Sequence, residues 1–236
     1  MKMTKVGTVY QLSFMPRVFP VNCYFVEEED SLTLIDAALP YSTKSIVKAA
    51  QVIGKPIKRI IVTHAHDDHV GALDTLKKVF PDMHVSISIR EAALLAGDST
   101  LLESETNSPI RGGIPKNIQT QPDSLLKEGD MIGSLEVILS PGHTPGSISL
   151  IDTRNHSLIV GDALQTRGGT AVNGVIKPLF PFPSLVTWNK RIALESAKKL
   201  LSYKPGLLAV GHGRMLEQPE NSMSRAINEA ELKFQQ

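Results

Sequence analysis

The chain has one cysteine in 236 residues, Cys23. No disulfide can form within it, and nothing points to an oxidising compartment. No apolar run approaches the roughly 20 residues that a membrane-spanning helix needs. The opening MKMTKVGTVYQLSF carries Lys2 and Lys5, but a polar-interrupted alternation follows them. A secretory leader would continue with an unbroken apolar segment and a small-residue cleavage site. A cytoplasmic protein is therefore expected. An excess of one charge is also lacking: 25 Lys and Arg stand against 24 Asp and Glu. With no global field, neither nucleic acid nor membrane is an expected partner. Nothing in the sequence indicates an oligomeric state. No shift in composition marks a linker, so one domain over residues 1–236 is expected. A chain of this length can bury roughly 70–75% of its unfolded surface.

What is present reads first as strands. KVGTVYQLSF alternates, NCYFVEE and SLTLID are short apolar runs, and the acidic EEEDS between them suits a hairpin turn. A helix pattern covers Ser42 to Val52, with Ile46, Ala49 and Ala50 as its buried stripe. IKRIIV is a strand, and VGALDTLKKVF an amphipathic helix with Val70, Leu73, Leu76 and Phe80 inward, ended by Pro81. A strand MHVSIS and a short helix REAALLAG follow, stopped at Gly97. Residues 98–123 show neither period, and a loop this long suggests either cover for a site or a mobile surface insertion. Strands return in GSLEVILS, SISLID and SLIVGDA, with TRNH as the turn before the third. An irregular stretch from Gln165 leads to a helix over Leu185 to Leu201, then the strand LLAVGHG and a helix over Glu220 to Phe234. The order resembles two unequal copies of one β-rich unit ending in helices, which favours an α+β domain with two sheets and outer helices.

The chemistry concentrates in HAHDDH, residues 64 to 69. His64 and His66 are two apart, so an extended segment puts both on one face. They lie where the strand IKRIIV runs out, and Asp68 and His69 open the next helix, so the turn can bend the side chains together. Imidazole and carboxylate at this density suit zinc or a related transition metal. The spacing is not that of zinc proteases, whose two histidines lie four apart on one helix. His143 in SPGHTPGS, Asp162 in IVGDA and His212 in AVGHG each follow a strand among glycines, which allow tight turns. These are the candidate remaining ligands. His84 and His156 read as a strand residue and a turn residue.

Taken in order, LID, HAHDDH, PGHTPG, GDA and GHG resemble the metallo-β-lactamase superfamily, spread from Asp36 to His212. The resemblance implies a four-layer αβ/βα sandwich of the metallo-β-lactamase type. It also implies two divalent metal ions, zinc first, with iron or manganese as alternatives. His64, His66 and His143 would hold one metal, and Asp68, His69 and His212 the other, with Asp162 bridging. A hydroxide between the metals would attack a carbonyl carbon or phosphorus. Asp68 would orient the nucleophile or pass a proton to the leaving group. Asp36 and Thr144 are candidates to support the ligands.

Departures narrow the family. Lactam-cleaving members commonly have cysteine, or no bridging carboxylate, where this chain has Asp162, and Cys23 is expected to pack in the core. Redox diiron members typically place glutamate where His66 stands. Nucleic-acid-processing members carry a large inserted domain for which this length leaves no room. Glyoxalase II-like thioesterases add a C-terminal helical segment, whereas 24 residues follow His212 here. Acyl-homoserine lactonases place a tyrosine three residues after the bridging aspartate, and this chain has Gln165, an amide that could still donate a hydrogen bond. Phe180, Phe182 and Trp188 suit either an apolar pocket for an acyl chain or core packing at a helix start. Arg111, Arg167 and Lys177 read as solvated loop charges. The leading expectation is a dinuclear metal hydrolase acting on a small ester, thioester or lactone. A phosphodiesterase of the same fold and a non-catalytic metal-binding or sensor domain are the alternatives. Specificity is expected from residues 98–123 and 165–186.

Overall fold

A computed structural model describes residues 1–106 and 108–234. The chain divides into two compact units: Met1–Asp98 with Gly113–Leu126, and Ser99–Gly112 with the chain from Lys127 on.

The first unit holds β1 (Lys2–Val6), β2 (Val9–Phe14), β3 (Val21–Glu27), β4 (Leu32–Ile35), α1 (Thr43–Ile53), β5 (Ile57–Val62), α2 (Asp67–Val70), α3 (Leu73–Val79), β6 (His84–Ser88), α4 (Ile89–Leu95) and β7 (Ser124–Leu126). Its seven strands form one sheet in chain order. β1 to β4 pair antiparallel through hairpins, and β4 to β7 run parallel. The parallel half exists because α1 and the α2–α4 segments carry the chain back between strands. Helix α1 buries Ile46, Ala49 and Ala50 as its spacing predicts, and Gly54 closes it in the left-handed conformation at φ 82°. Burying a side chain such as Ile46 stabilises the unit by about 1.5–3 kcal/mol.

Two local expectations are corrected here. KVGTVYQLSF is a hairpin, β1 and β2, turned at Gly7, and β2 is buried along its whole length. Its polar residues are accommodated by bonds such as Gln11 Nε2 to Tyr24 Oη at 3.1 Å. The helix expected over VGALDTLKKVF is broken into α2 and α3, and Phe80 lies beyond α3, half-buried. Gly71 sits at the break, where a Cβ would stand 2.6 Å from Pro40 Cδ and 2.7 Å from Ala38 O. Only glycine admits the Ala38–Pro40 backbone at that distance. Cys23 is buried in β3 as expected, and burial, with the Asp36 charge adding, pushes its thiol up.

The second unit holds β8 (Met131–Ile132), β9 (Leu135–Leu139), β10 (Ile148–Asp152), β11 (Ser157–Ile159), β12 (Leu164–Gln165), β13 (Ala171–Val172), α5 (Phe182–Leu185), α6 (Lys190–Ser202), β14 (Leu207–Ala209), β15 (Leu216–Glu217) and α7 (Glu220–Phe234). Six strands form a sheet in the order β15-β14-β11-β10-β9-β8, and β12 pairs with β13 in a two-stranded ribbon. Ala197 and Leu200 of α6 and Met223 and Ile227 of α7 pack with Leu158, Leu164 and Leu208 in one apolar core. Two expectations change. The stretch after Asp162 is not wholly irregular, since it forms the β12–β13 ribbon and the short α5. The helix expected from Leu185 starts at Lys190, because the Asn189 side chain accepts from the Arg191 and Ile192 amides and caps it there. The described residues within 98–123 form no helix or strand, as expected.

Candidate metal centre

In the first unit, β5 ends at Val62 and the chain runs on extended to His66, which has φ −86° and ψ 150° and caps α2. His64 and His66 therefore share a face, with ring centroids 4.9 Å apart. One turn of α2 brings His69 to 4.0 Å from the His64 ring. The ligand atoms of His64 and His66 lie within 4.8 Å of each other, as do those of His64 and His69 and of Asp68 and His69. All three imidazoles are buried and Asp68 is half-buried.

The supports come from neighbouring elements. β4 and β5 run parallel with Ile35 beside Ile61, so Asp36 reaches the end of β5. Its carboxylate accepts from Thr63 N, Thr63 Oγ1 and His69 Nδ1, each at 2.8 Å. Asp36 itself lies at φ 61°, a left-handed conformation that Asp tolerates better than most residues. Thr63 Oγ1, having given its proton to Asp36, accepts from His64 Nδ1 at 3.1 Å. With Nδ1 acting as donor in both rings, the unprotonated nitrogen of each, the one able to bind a metal, is Nε2. The buried Glu91 of α4 accepts from Ala65 N at 2.8 Å, fixing the backbone between His64 and His66. Glu91 is not apparent from sequence, where its only signal is an acid inside the apolar stretch IREAALL. Gly113, in the long irregular segment, accepts from Asp67 N at 2.8 Å. The Asp67 carboxyl is raised by burial and by the charge of Asp68, with His66 and Lys116 opposing.

In the second unit, β9, β11 and β14 point the same way: β9 and β11 both oppose β10, and β14 runs parallel to β11. His143, Asp162 and His212 follow those three strands, so they emerge at one edge of the sheet. One Asp162 carboxylate oxygen lies 3.4 Å from His143 Nε2 and 3.2 Å from His212 Nε2. All three residues are buried.

The glycine-rich turns are needed for close approach. At Gly142, φ 137°, a Cβ would fall 2.3 Å from Ala193 Cα, because the start of α6 seats on this turn. Trp188 N donates to His143 O at 3.0 Å and Asn189 N to Gly142 O at 2.9 Å. At Gly213, φ 124°, a Cβ would fall 2.2 Å from Thr166 Oγ1. The His143 ring is held from Nδ1 by Thr187 Oγ1 at 3.3 Å, which donates to Pro183 O at 2.9 Å. Thr144, expected in that supporting role, pairs with Ser147 Oγ at 2.5 Å. Asn173 Nδ2 donates to the main-chain oxygen of Asp162 at 2.5 Å. The Phe180 ring lies 5.5 Å from that of His212. His84 and His156 lie at a strand start and in a turn, as expected.

The sequence model described as the metallo-beta-lactamase superfamily matches residues 16–212. The chain belongs to the metallo-β-lactamase superfamily. It is 56% identical over 230 residues to the uncharacterized protein YobT of Bacillus subtilis (strain 168), covering 98% of this chain and 99% of that one. It is 31% identical over 212 residues to the probable metallo-hydrolase YflN of the same strain, covering 81% and 80%. It is 28% identical over 156 residues to the hydroxyacylglutathione hydrolase GloC of Haemophilus influenzae (strain ATCC 51907 / DSM 11121 / KW20 / Rd), covering 64% and 69%. Among solved structures it resembles a metallo-beta-lactamase from Pontibacter korlensis, with TM-score 0.73, 17% identity and 98% of each chain covered. It also resembles TTHA1623 in a di-iron-bound form, with TM-score 0.65, 25% identity, and 89% and 96% covered.

As a member of this superfamily the chain has its α+β fold, which implies divalent metal ions. The donors fit them: buried imidazoles turned by Nδ1 contacts, and a buried carboxylate flanked by two Nε2 atoms. Gln165 departs from expectation, because its Nε2 donates to Phe180 O at 3.0 Å and Arg167 O at 3.2 Å. Both amide protons are engaged by main-chain carbonyls, so this buried side chain serves the loop rather than a substrate. Lys177 is likewise no solvated charge, since it pairs with Glu229 at 2.6 Å. Among the described residues no helix is long and apolar enough to cross a membrane.

Proposed function

We propose that the chain is a dinuclear metal-dependent hydrolase of a small ester, thioester or lactone, working as one domain. In this reading His64, His66 and His143 would hold one metal and Asp68, His69 and His212 the other, with Asp162 shared between them. The observation that carries this reading is the support behind the ligands. Asp36 and Thr63 hold Nδ1 of His69 and His64, and Thr187 holds Nδ1 of His143. Such partners orient ligand rings and raise their basicity. The relatives called probable metallo-hydrolase and hydroxyacylglutathione hydrolase support hydrolysis, with thioesters first.

Two bound divalent cations supply Lewis acidity and a water acidified toward neutrality. The chain supplies the rest. Buried imidazoles exclude bulk water from the ligand cluster. Asp68 is half-buried, open enough to take the proton of the attacking water and return it to the leaving oxygen or sulfur. Gln165 does not polarise the carbonyl, which leaves that role to the cations. Zinc is the proposed metal, with iron the alternative that the di-iron neighbour raises.

The test is metal analysis of the purified protein, then turnover of thioesters, lactones and bis-nitrophenyl phosphate by it and by His66→Ala. About two metals per chain and carbonyl-substrate turnover that drops at least a hundredfold in the variant are expected. A metal-free protein that is equally stable with and without added zinc ends the reading. Turnover of the phosphodiester alone replaces it with a phosphodiesterase.

A further inference from the structure

The segment between Asn173 and Trp188, NGVIKPLFPFPSLVTW, holds a single charged residue, Lys177. It nevertheless presents a large apolar surface. Leu179 is 82% exposed and Phe182 53%, with Ile176 and Leu185 about half exposed. Isolated exposed apolar residues are ordinary, whereas four within ten positions make a patch.

A firm frame holds these side chains outward. Gln165 Nε2 grips Phe180 O at 3.0 Å, Ser184 Oγ donates to Val175 O at 2.7 Å, and Phe180 N donates to Lys177 O at 2.9 Å. Pro178, Pro181 and Pro183 restrict φ within the same stretch. The frame also leads to the ligand cluster. The Phe180 ring stands 5.5 Å from His212 on one side and 5.5 Å from Phe182, edge-on, on the other. Ring packing therefore links a metal-ligand candidate, through buried Phe180, to exposed Phe182. The one cation in the stretch is engaged, since Lys177 lies 2.6 Å from Glu229 and holds that carboxyl below its usual range. No ammonium in this stretch is left to recognise an anionic group such as the carboxylates of a peptide thiol.

We infer that residues 176–185 form the acyl subsite, and that Leu179 and Phe182 make the enzyme selective for an uncharged, apolar acyl group. The inference deepens the hydrolase reading and relies on it for the direction of the chain away from the reacting carbonyl. Gln165, where a catalytic donor was conceivable, is instead a positioning residue that holds Phe180 in place.

Two measurements test this, and they fail separately. The first is calorimetric binding of straight-chain carboxylates, butanoate to decanoate, to the metal-loaded protein and to a Leu179→Ser/Phe182→Ser double variant. Affinity should rise about fourfold for each methylene that leaves water. The increment should fall below twofold in the variant. Both substitutions are at exposed positions, and equal metal content and thermal midpoint serve as the folding check. The second is turnover of acetyl to decanoyl thioesters, where the decanoyl-to-acetyl ratio of kcat/KM should drop at least tenfold in the variant. Equal increments in the two proteins overturn the subsite. So does a fall in mass by light scattering in the variant, which makes the patch an interface between copies, or loss of co-sedimentation with neutral phosphatidylcholine vesicles, which makes it a membrane contact. Chain-length-dependent binding without turnover of any thioester leaves the subsite standing and removes the hydrolase reading instead.

Discussion

Replacing Asp36 by asparagine isolates the electrostatics of the first half-site. Asparagine matches aspartate in shape and tolerates the left-handed φ of 61° found there, so the backbone has little reason to move. Its carbonyl oxygen can still accept from Thr63 N, as the carboxylate does at 2.8 Å. The amide nitrogen then faces Thr63 Oγ1 and His69 Nδ1, where an acceptor stood at 2.8 Å from each. A donor opposite Nδ1 forces His69 to accept there and carry its proton on Nε2, the nitrogen the metal needs. Losing the charge-assisted bond to the buried His69 costs about 1.5–3 kcal/mol of stability. Losing its orientation lowers metal affinity by roughly 10–100-fold. The assay is zinc titration of metal-stripped protein against a chromophoric chelator, with thermal melts before and after loading. Because His69 is assigned to one of two metals, one equivalent should weaken while the other stays near its wild-type affinity. Asp36→Asn with both equivalents within twofold of wild type, and an unchanged melting midpoint, would refute the argument that Asp36 sets the His69 tautomer.

Gly142→Ala places a methyl 2.3 Å from Ala193 Cα at a φ of 137°. The overlap costs roughly 1–3 kcal/mol and the backbone strain about as much again. A denaturant midpoint equal to wild type would show that the turn does not seat the start of α6. In the first unit, Glu27 is held at about 2 by Lys5, then Lys55, with Tyr10 adding a bond. A carboxyl lowered on folding stabilises above its unfolded value, near 4.5, and that stabilisation is lost as pH falls toward 2. Glu27→Gln should therefore flatten the acid limb of a metal-free stability profile between those pH values while lowering stability at neutral pH. An unchanged acid limb would count against the Lys5–Glu27–Lys55 cluster.

The sequence by itself determined which residues are candidates for metal chemistry and where the strands that deliver them end. HAHDDH is legible because its side chains lie on six consecutive residues, and an extended run into a helical turn can bring them together without help from elsewhere. His143, Asp162 and His212 are legible as polar residues among glycines after apolar strands, and shared strand direction accounts for their common edge. What holds them was legible only for Asp36, which supports His69 as expected. Glu91 lies 26 residues from Ala65, and Thr187 lies 44 from His143. Such pairs follow from which helix or loop returns to which turn, and no local period encodes that. Gln165 shows the limit most clearly, because its position suggested a donor for substrate. Only the path of the 166–180 loop, which puts the Phe180 and Arg167 carbonyls against both amide protons, removes that role. The break between α2 and α3 has the same origin, since helical spacing continues through Gly71 and it is the Pro40 backbone pressed against it that requires glycine there. Local patterns determined the donors, and tertiary approach decided their orientation and which neighbouring groups remain available to a substrate.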